Sequence, residues 1–193
     1  MSIFLGLIHH PVLNRLGEVG STAITNVDIH DLARAGRTYG VEKLFIVTPI
    51  TLQQELCNSL ISHWIDGKGG KRVPTRSMAF ERVEVAANLD AALDRAEAID
   101  GKRPLLVVTG AQLREDVMSW ADARNSIWNA NPDDRGIMLL LGTGWGLAPE
   151  VIARADIRLP AIDGPPWAGG YNHLSVRAAG VIVLDRLLAA SRE

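Results

Sequence analysis

The sequence predicts an α/β fold: a mainly parallel sheet with helices on both faces. Three observations carry that prediction. Short apolar, β-branched runs alternate with longer amphipathic ones. The short runs are apolar almost throughout, as strands buried on both faces are, and glycine, threonine and proline gather where several of them end. Strands are expected at Ile3–Ile8, Lys43–Val47, Arg82–Val85, Leu105–Val108, Ile137–Leu141 and Ile157–Leu159. Helices are expected at Asn26–Tyr39, Leu52–Ile65, Leu89–Ile99, Leu113–Asn129, Ala148–Ala153 and Leu174–Ala190. Asn26 or Thr25 can cap the first helix, whose core stripe is Ile29, Leu32, Ala33 and Gly36. The last helix follows Asn172 and presents Leu174, Ala178, Val181, Leu184 and Leu188 on one face. Pro11–Ser21 and Gly67–Ser77 read as the two long loops, a kind of segment that often carries function.

The length of 193 residues suits one domain over 1–193, and an apolar content of 47% is enough to bury a sizeable core. The longest apolar runs fall far short of the roughly 20 residues that a bilayer span needs, so no membrane association is expected. MSIFLGLIHHP lacks a basic leader and a cleavage site and reads as a first strand. The lone cysteine, Cys57, allows no internal disulfide and points to a reducing compartment, the cytoplasm. Twenty basic residues against 22 acidic ones give a net charge of −2, so any nucleic-acid contact has to come from a local patch. The best candidate is Lys68, Lys71, Arg72 and Arg76 in GKGGKRVPTR; a solvated loop is the plainer reading of the same residues.

Open parallel sheets collect ligands where the loops converge at the C-terminal ends of their strands. Three such loops stand out: Thr109-Gly110-Ala111, the run Gly142-Thr143-Gly144-Trp145-Gly146-Leu147, and IDGPPWAGGYNHLSV from Ile162 to Val176. Glycines let backbone groups approach a ligand closely, so these loops suit a flat, adenine-bearing cofactor held mainly by backbone. A dinucleotide site is the competitor, but Leu147 stands where the third glycine of G-x-G-x-x-G belongs, and Asp163 lies in a proline-rich loop. No phosphate-loop spacing, G-x-S-x-G elbow or zinc spacing is present, and His9-His10 before Pro11 reads as structural, so no metal is expected.

Three stretches in order resemble the SPOUT methyltransferases, nearest to the SpoU-like branch and to a family of RNA methyltransferases dependent on S-adenosylmethionine (SAM). Thr25–Val47 is similar to that branch's first motif, with Arg34 and Gly40 at matching positions and Asp28 where the branch has asparagine. Leu139–Ile152 is similar to the cofactor loop, with Thr143 in place of the usual glutamate. Tyr171–Leu188 is similar to the loop and helix that close a knot, with His173 where the branch carries asparagine and Asn172 one place earlier. The resemblance implies a C-terminal deep trefoil knot, a homodimer whose second subunit completes the active site, SAM as cofactor with S-adenosylhomocysteine as product, and an RNA substrate, tRNA or rRNA. Cofactor contacts are then expected from Thr109, Gly110, Gly142, Thr143, Gly144, Gly146, Leu147, Ile162, Gly164, Asn172, His173, Leu174 and Ser175. Two other readings compete: a non-catalytic RNA-binding or assembly module on the same fold, and a Rossmann-type nucleotide enzyme.

Methyl transfer from a sulfonium needs the acceptor held in line and relieved of its proton. His30, Arg34 and Arg37 share one face of the first helix. Histidine titrates near neutrality and suits a base, arginine suits a phosphate or developing charge, and Asp28 could orient either or act as base itself. Asp28, His30 and Arg34 are therefore the candidate catalytic residues. The plainer alternatives are an Asp31–Arg34 surface pair, an Asp28 that merely favours the helix dipole, and an Asn172-His173 helix cap. Trp145 and Trp167 are expected to flank the pocket.

Overall fold

The computed structural model describes residues 1–131 and 133–189. In chain order these form β1 (Ile3–Ile8), β2 (Val12–Leu13), β3 (Val19–Gly20), α1 (Asn26–Thr38), β4 (Lys43–Val47) and α2 (Thr51–Ile65). Then follow α3 (Lys68–Arg72), α4 (Pro74–Phe80), β5 (Val83–Ala86), α5 (Leu89–Asp100), β6 (Leu105–Thr109) and α6 (Trp120–Trp128). The chain continues through β7 (Ile137–Gly142), α7 (Pro149–Ile152), β8 (Ile157–Arg158), a 3₁₀ turn at Pro166–Ala168, and α8 (Val176–Leu188).

Six strands make one parallel sheet in the order β5-β4-β1-β7-β6-β8. Strand order reverses beside β1, the arrangement that opens a crevice at the C-terminal ends. Side chains alternate across the sheet. Leu5, Leu7, Leu44, Ile46, Leu139 and Leu141 face a core shared with α1, α2, α4, α6 and α8. Phe4, Ile8, Phe45, Val47, Met138 and Leu140 face a second core under α5 and α7. Both faces are covered, which is why the strands read as unbroken apolar runs.

The expected strands are all present, with ends displaced by no more than a residue, and four departures have physical causes. The helix expected at Leu113–Asn129 begins only at Trp120, because Ser119 caps it by accepting from Asp122 N at 3.1 Å and Asp116 sits at φ 51°, outside helical space. The stretch expected as a loop at Pro11–Ser21 holds the antiparallel pair β2–β3, turned by Asn14, whose side-chain oxygen accepts from Leu16 N and Glu18 N. Gly67–Ser77, also expected as a loop, is helical through α3 and most of α4. Gly69 and Gly70 are buried in it: a Cβ on Gly70 would lie 2.1 Å from the Trp64 carbonyl oxygen, and one on Gly69 2.5 Å from His63 Nε2. Only glycine lets α3 press this closely on the end of α2. Finally, α8 starts at Val176 and not at Leu174, capped by Ser175, which accepts from Ala178 N, so Asn172 and His173 stay in the preceding loop. Ala190, the expected end of this helix, lies outside the described residues.

Candidate functional site

The three glycine-rich loops converge on one cavity of about 750 Å³ at the C-terminal ends of β6 and β7. Its size suits a nucleoside-bearing ligand. Of the residues expected to touch a cofactor, Thr109, Gly110, Gly142, Thr143, Gly144, Gly146, Ile162, Asn172, His173, Leu174 and Ser175 line it. Leu147 and Gly164 do not. Leu147 turns into the second core, because Val12 forms an antiparallel bridge with it. Gly164 sits instead beside Ala168.

The β2–β3 hairpin pins the glycine loop after β7. Leu13 N donates to Gly146 O at 2.8 Å, Trp145 N to Leu13 O at 3.0 Å, and Ala148 N to Pro11 O at 3.2 Å. Gly144 needs to be glycine here: its φ is +60° and a Cβ would stand 3.0 Å from Leu13 O. Behind the loop runs a chain of hydrogen bonds with a fixed direction. Thr143 Oγ1 donates to Ile8 O at 2.9 Å, so its contact with Thr22 Oγ1 at 2.5 Å has Thr22 as donor, and Thr22 in turn accepts from His9 Nδ1 at 3.0 Å. His9 is thus the neutral Nδ1–H tautomer, with Nε2 buried and without a partner among the described residues. Burial pushes its pKa down to about 4, against the upward pull of the nearby Asp28 charge.

Another part of the lining carries charge. Asp28 is buried, and its side chain accepts from Thr25 Oγ1 and from Arg177 Nη1 at 2.8 Å. Arg177 Nε also reaches Asp31 Oδ2 at 3.5 Å. Asp28 and Arg177 both line the cavity. Arg177 was not among the residues singled out from sequence: it stands inside the stretch Tyr171–Leu188, but its partner lies 149 positions away, beyond any spacing rule. At the mouth, Arg114 Nη2 donates to Asp163 Oδ1 at 2.8 Å, and Asn172 Nδ2 reaches both Asp163 Oδ1 and Ala111 O at 3.4 Å. That exposed pair raises the Arg114 pKa and lowers that of Asp163, each through its hydrogen bond to the other. Trp145 lines the cavity half-exposed, and Trp167 is exposed outside its wall.

The other two candidate catalytic residues lie apart from this cavity. His30 packs edge-on against Phe80 and Trp64, ring centroids 4.7 and 5.3 Å away, and its Nδ1 accepts from Arg76. Its pKa is lowered, first by burial and then by the Arg76 charge. Because α4 covers that side of α1, the face shared by His30, Arg34 and Arg37 is polar only in part. Arg34 is exposed, 3.9 Å from Asp31, in a shallow groove with Ser175, Arg177 and Val181 between α1 and α8.

The cavity fits a SAM-like ligand. Leu141, Ile162, Leu174 and Val176 supply apolar surface for a flat ring. Gly170 and Leu174 make no hydrogen bond within the described residues, so their backbone groups are available to a ligand. Among the described residues, no group of three histidine, cysteine or acidic side chains is placed to hold a metal ion.

Comparison with known proteins places the chain in a family. The chain is 36% identical over 191 residues to a protein of Aquifex aeolicus, covering 99% of this chain and 90% of that one. It is 36% identical over 187 residues to a tRNA (guanine-N(1)-)-methyltransferase of Nitratidesulfovibrio vulgaris, covering 97% of this chain but only 42% of that relative's length. The fold resembles that of the SpoU methyltransferase AviRb from Streptomyces viridochromogenes, solved with AdoMet, at a TM-score of 0.56 and 14% identity, covering 97% of this chain and 59% of that one. The family profile described as SAM-dependent RNA methyltransferase matches residues 2–189, nearly the whole sequence and every wall of the cavity, and the chain belongs to that family.

Proposed function

We propose that the cavity holds SAM and that the acceptor RNA nucleotide enters on the side of Asp28 and Arg177. Bound there, SAM would supply an electrophilic methyl group. Thr109, Gly110, Gly142 to Gly144, Gly146, Ile162 and Asn172 to Ser175 bind and orient the donor, largely through backbone. Asp28 takes the proton that the acceptor loses as it is methylated. Arg177 fixes the Asp28 carboxylate and balances its charge, leaving a free lone pair on each carboxylate oxygen for the incoming group. Arg34, in the groove beside Arg177, positions a phosphate of the substrate, and His30 holds Arg76. The observation that carries this reading is a buried, ion-paired carboxylate lining the same cavity as the glycine loops. The RNA we infer is tRNA, in line with the name of the longer relative.

The test couples calorimetry with S-adenosylhomocysteine to methyl transfer from labelled SAM onto purified tRNA and rRNA. Wild type and Asp28→Asn should bind the product equally, with transfer in the variant reduced about a hundredfold or more. A variant that keeps its rate would remove Asp28 as base, and folded wild type that ignores the product at high micromolar concentration would remove the donor site. Methylation of rRNA alone would replace tRNA.

The same reading includes a single methyltransferase domain over 1–193, a deep trefoil knot and a homodimer. Supporting the knot, α8 packs back against α1 and β7 while the segment before it walls the cavity. Pulling the ends apart in a single-molecule trap should leave the chain short of its full contour length; complete extension would rule the knot out. Supporting the dimer is the open groove between α1 and α8 beside Arg34 and Arg177, and light scattering checks it. The single cysteine, buried and with its thiol pushed up to about 12, and an RNA substrate both fit the cytoplasm. No helix of the described residues is long and apolar enough to cross a membrane.

A further inference from the structure

We infer that α3 and the start of α4 form a rigid docking surface for the phosphodiester backbone of RNA, next to the catalytic wall. The inference rests on the family's RNA substrate. Cations elsewhere in this acid-rich chain are mostly neutralised in place: Arg82 by Glu42, Arg95 by Glu84, Arg154 by Asp90, and Arg103 by Asp90, Asp94 and Glu97. Lys68, Lys71 and Arg72 are exposed and meet no carboxylate among the described residues. The nearest acid in sequence, Asp66, is within reach of Ser62 Oγ at 3.5 Å. Three cations left uncompensated on a five-residue helix are a local concentration of positive charge on a molecule whose net charge is −2. That arrangement suits a polyanion and disfavours general stickiness.

The surface is also built to stay in place. Gly69 and Gly70 are buried against His63 and Trp64, so α3 lies flush on α2 and its long side chains are exposed. Arg76 is held at a fixed angle: its guanidinium lies 5.2 Å over the Trp64 ring and donates to His30 Nδ1. That bond requires the neutral form of His30, and the lowered pKa of the ring keeps it so. His30 and Arg34 lie one turn apart on the same face of α1, and Arg34 shares a groove with Arg177, which lines the cavity. RNA lying on Arg76, Lys68, Lys71 and Arg72 would therefore pass close to the cavity wall. Preorganised cations along this path would set the register of the strand, while the cavity selects the nucleotide.

The test is fluorescence anisotropy of a labelled tRNA transcript across a salt series. It compares wild type, Lys68→Ala/Lys71→Ala/Arg72→Ala, and the charge-keeping Lys68→Arg/Lys71→Arg/Arg72→Lys, with S-adenosylhomocysteine affinity as the folding control. The alanine variant should bind roughly ten- to a hundredfold more weakly at low salt and lose about 2 to 3 from the slope of log K against log salt, and the charge-keeping variant should behave as wild type. Unchanged affinity and slope in an alanine variant that still binds the product would overturn the docking surface and leave the methyltransferase reading intact. Wild type that binds the product but no RNA at any salt would overturn both.

Discussion

Thr143 occupies the position where the SpoU-like motif has glutamate, and the structure gives the hydroxyl a role that a carboxylate could not fill. It must donate to Ile8 O while accepting from Thr22, and an ionised glutamate has no proton to give. Thr143→Val keeps the shape and strands two partners, which should cost about 1–3 kcal/mol in urea denaturation, while Thr143→Ser should recover most of it. His9, at the other end of that chain, makes stability depend on pH. Its pKa falls from 6.5 unfolded to about 4 folded, so between those values the unfolded chain takes up a proton that the folded one refuses. The contribution is complete above pH 6.5 and drains away as pH drops towards 4, a loss of about 3 kcal/mol. Urea midpoints measured across that window should fall more steeply in wild type than in His9→Asn, whose amide can still donate to Thr22 and whose remaining slope belongs to other groups such as His30. Residue roles were the least legible part of the sequence. The i, i+4 spacing placed His30 with Arg34 correctly on one side of α1, but only tertiary packing could show α4 covering His30. Arg177 and Asp28 meet across nearly the whole chain.

Element positions were far more legible, because burial on both faces writes a strand as an unbroken apolar run and fixes its ends to within a residue. The failures are local. KGGKR reads as a flexible turn by propensity, since two glycines are poor helix formers. It is helical because those glycines permit a contact that any side chain would block. Gly70→Ala, with its Cβ 2.1 Å from a backbone oxygen, should therefore lower stability by about 1–3 kcal/mol despite alanine's higher helix propensity. Hydrogen exchange should localise the loss to residues 67–80 and leave α8 protected. Uniform exchange across the chain would mean that α3 is not a separate unit. Likewise the polar residues before Ser119 look helical by periodicity, and the cap at Ser119 decides otherwise.

At the scale of the molecule, the glycine loops could be read as one ligand site because a parallel sheet sends them all to the same end. The cavity ties together residues from α1, the ends of β6 and β7 and the segment before α8, so a ligand that fills it should stabilise the whole fold. S-adenosylhomocysteine at a hundred times its Kd should add about 2.7 kcal/mol, raising the Tm of a chain this size by roughly 5–10 °C. Asp28→Asn should retain that shift, which separates donor binding from proton transfer. One exposed tie at the cavity has a kinetic meaning. Arg114 and Asn172, both in its lining, meet on Asp163 at the surface, where mobile ions weaken such attractions readily. A spent donor has to leave after every cycle, and a clasp made of exposed charges can part without unfolding anything; higher ionic strength should hasten the exit of spent donor even as it weakens the grip on the nucleic acid.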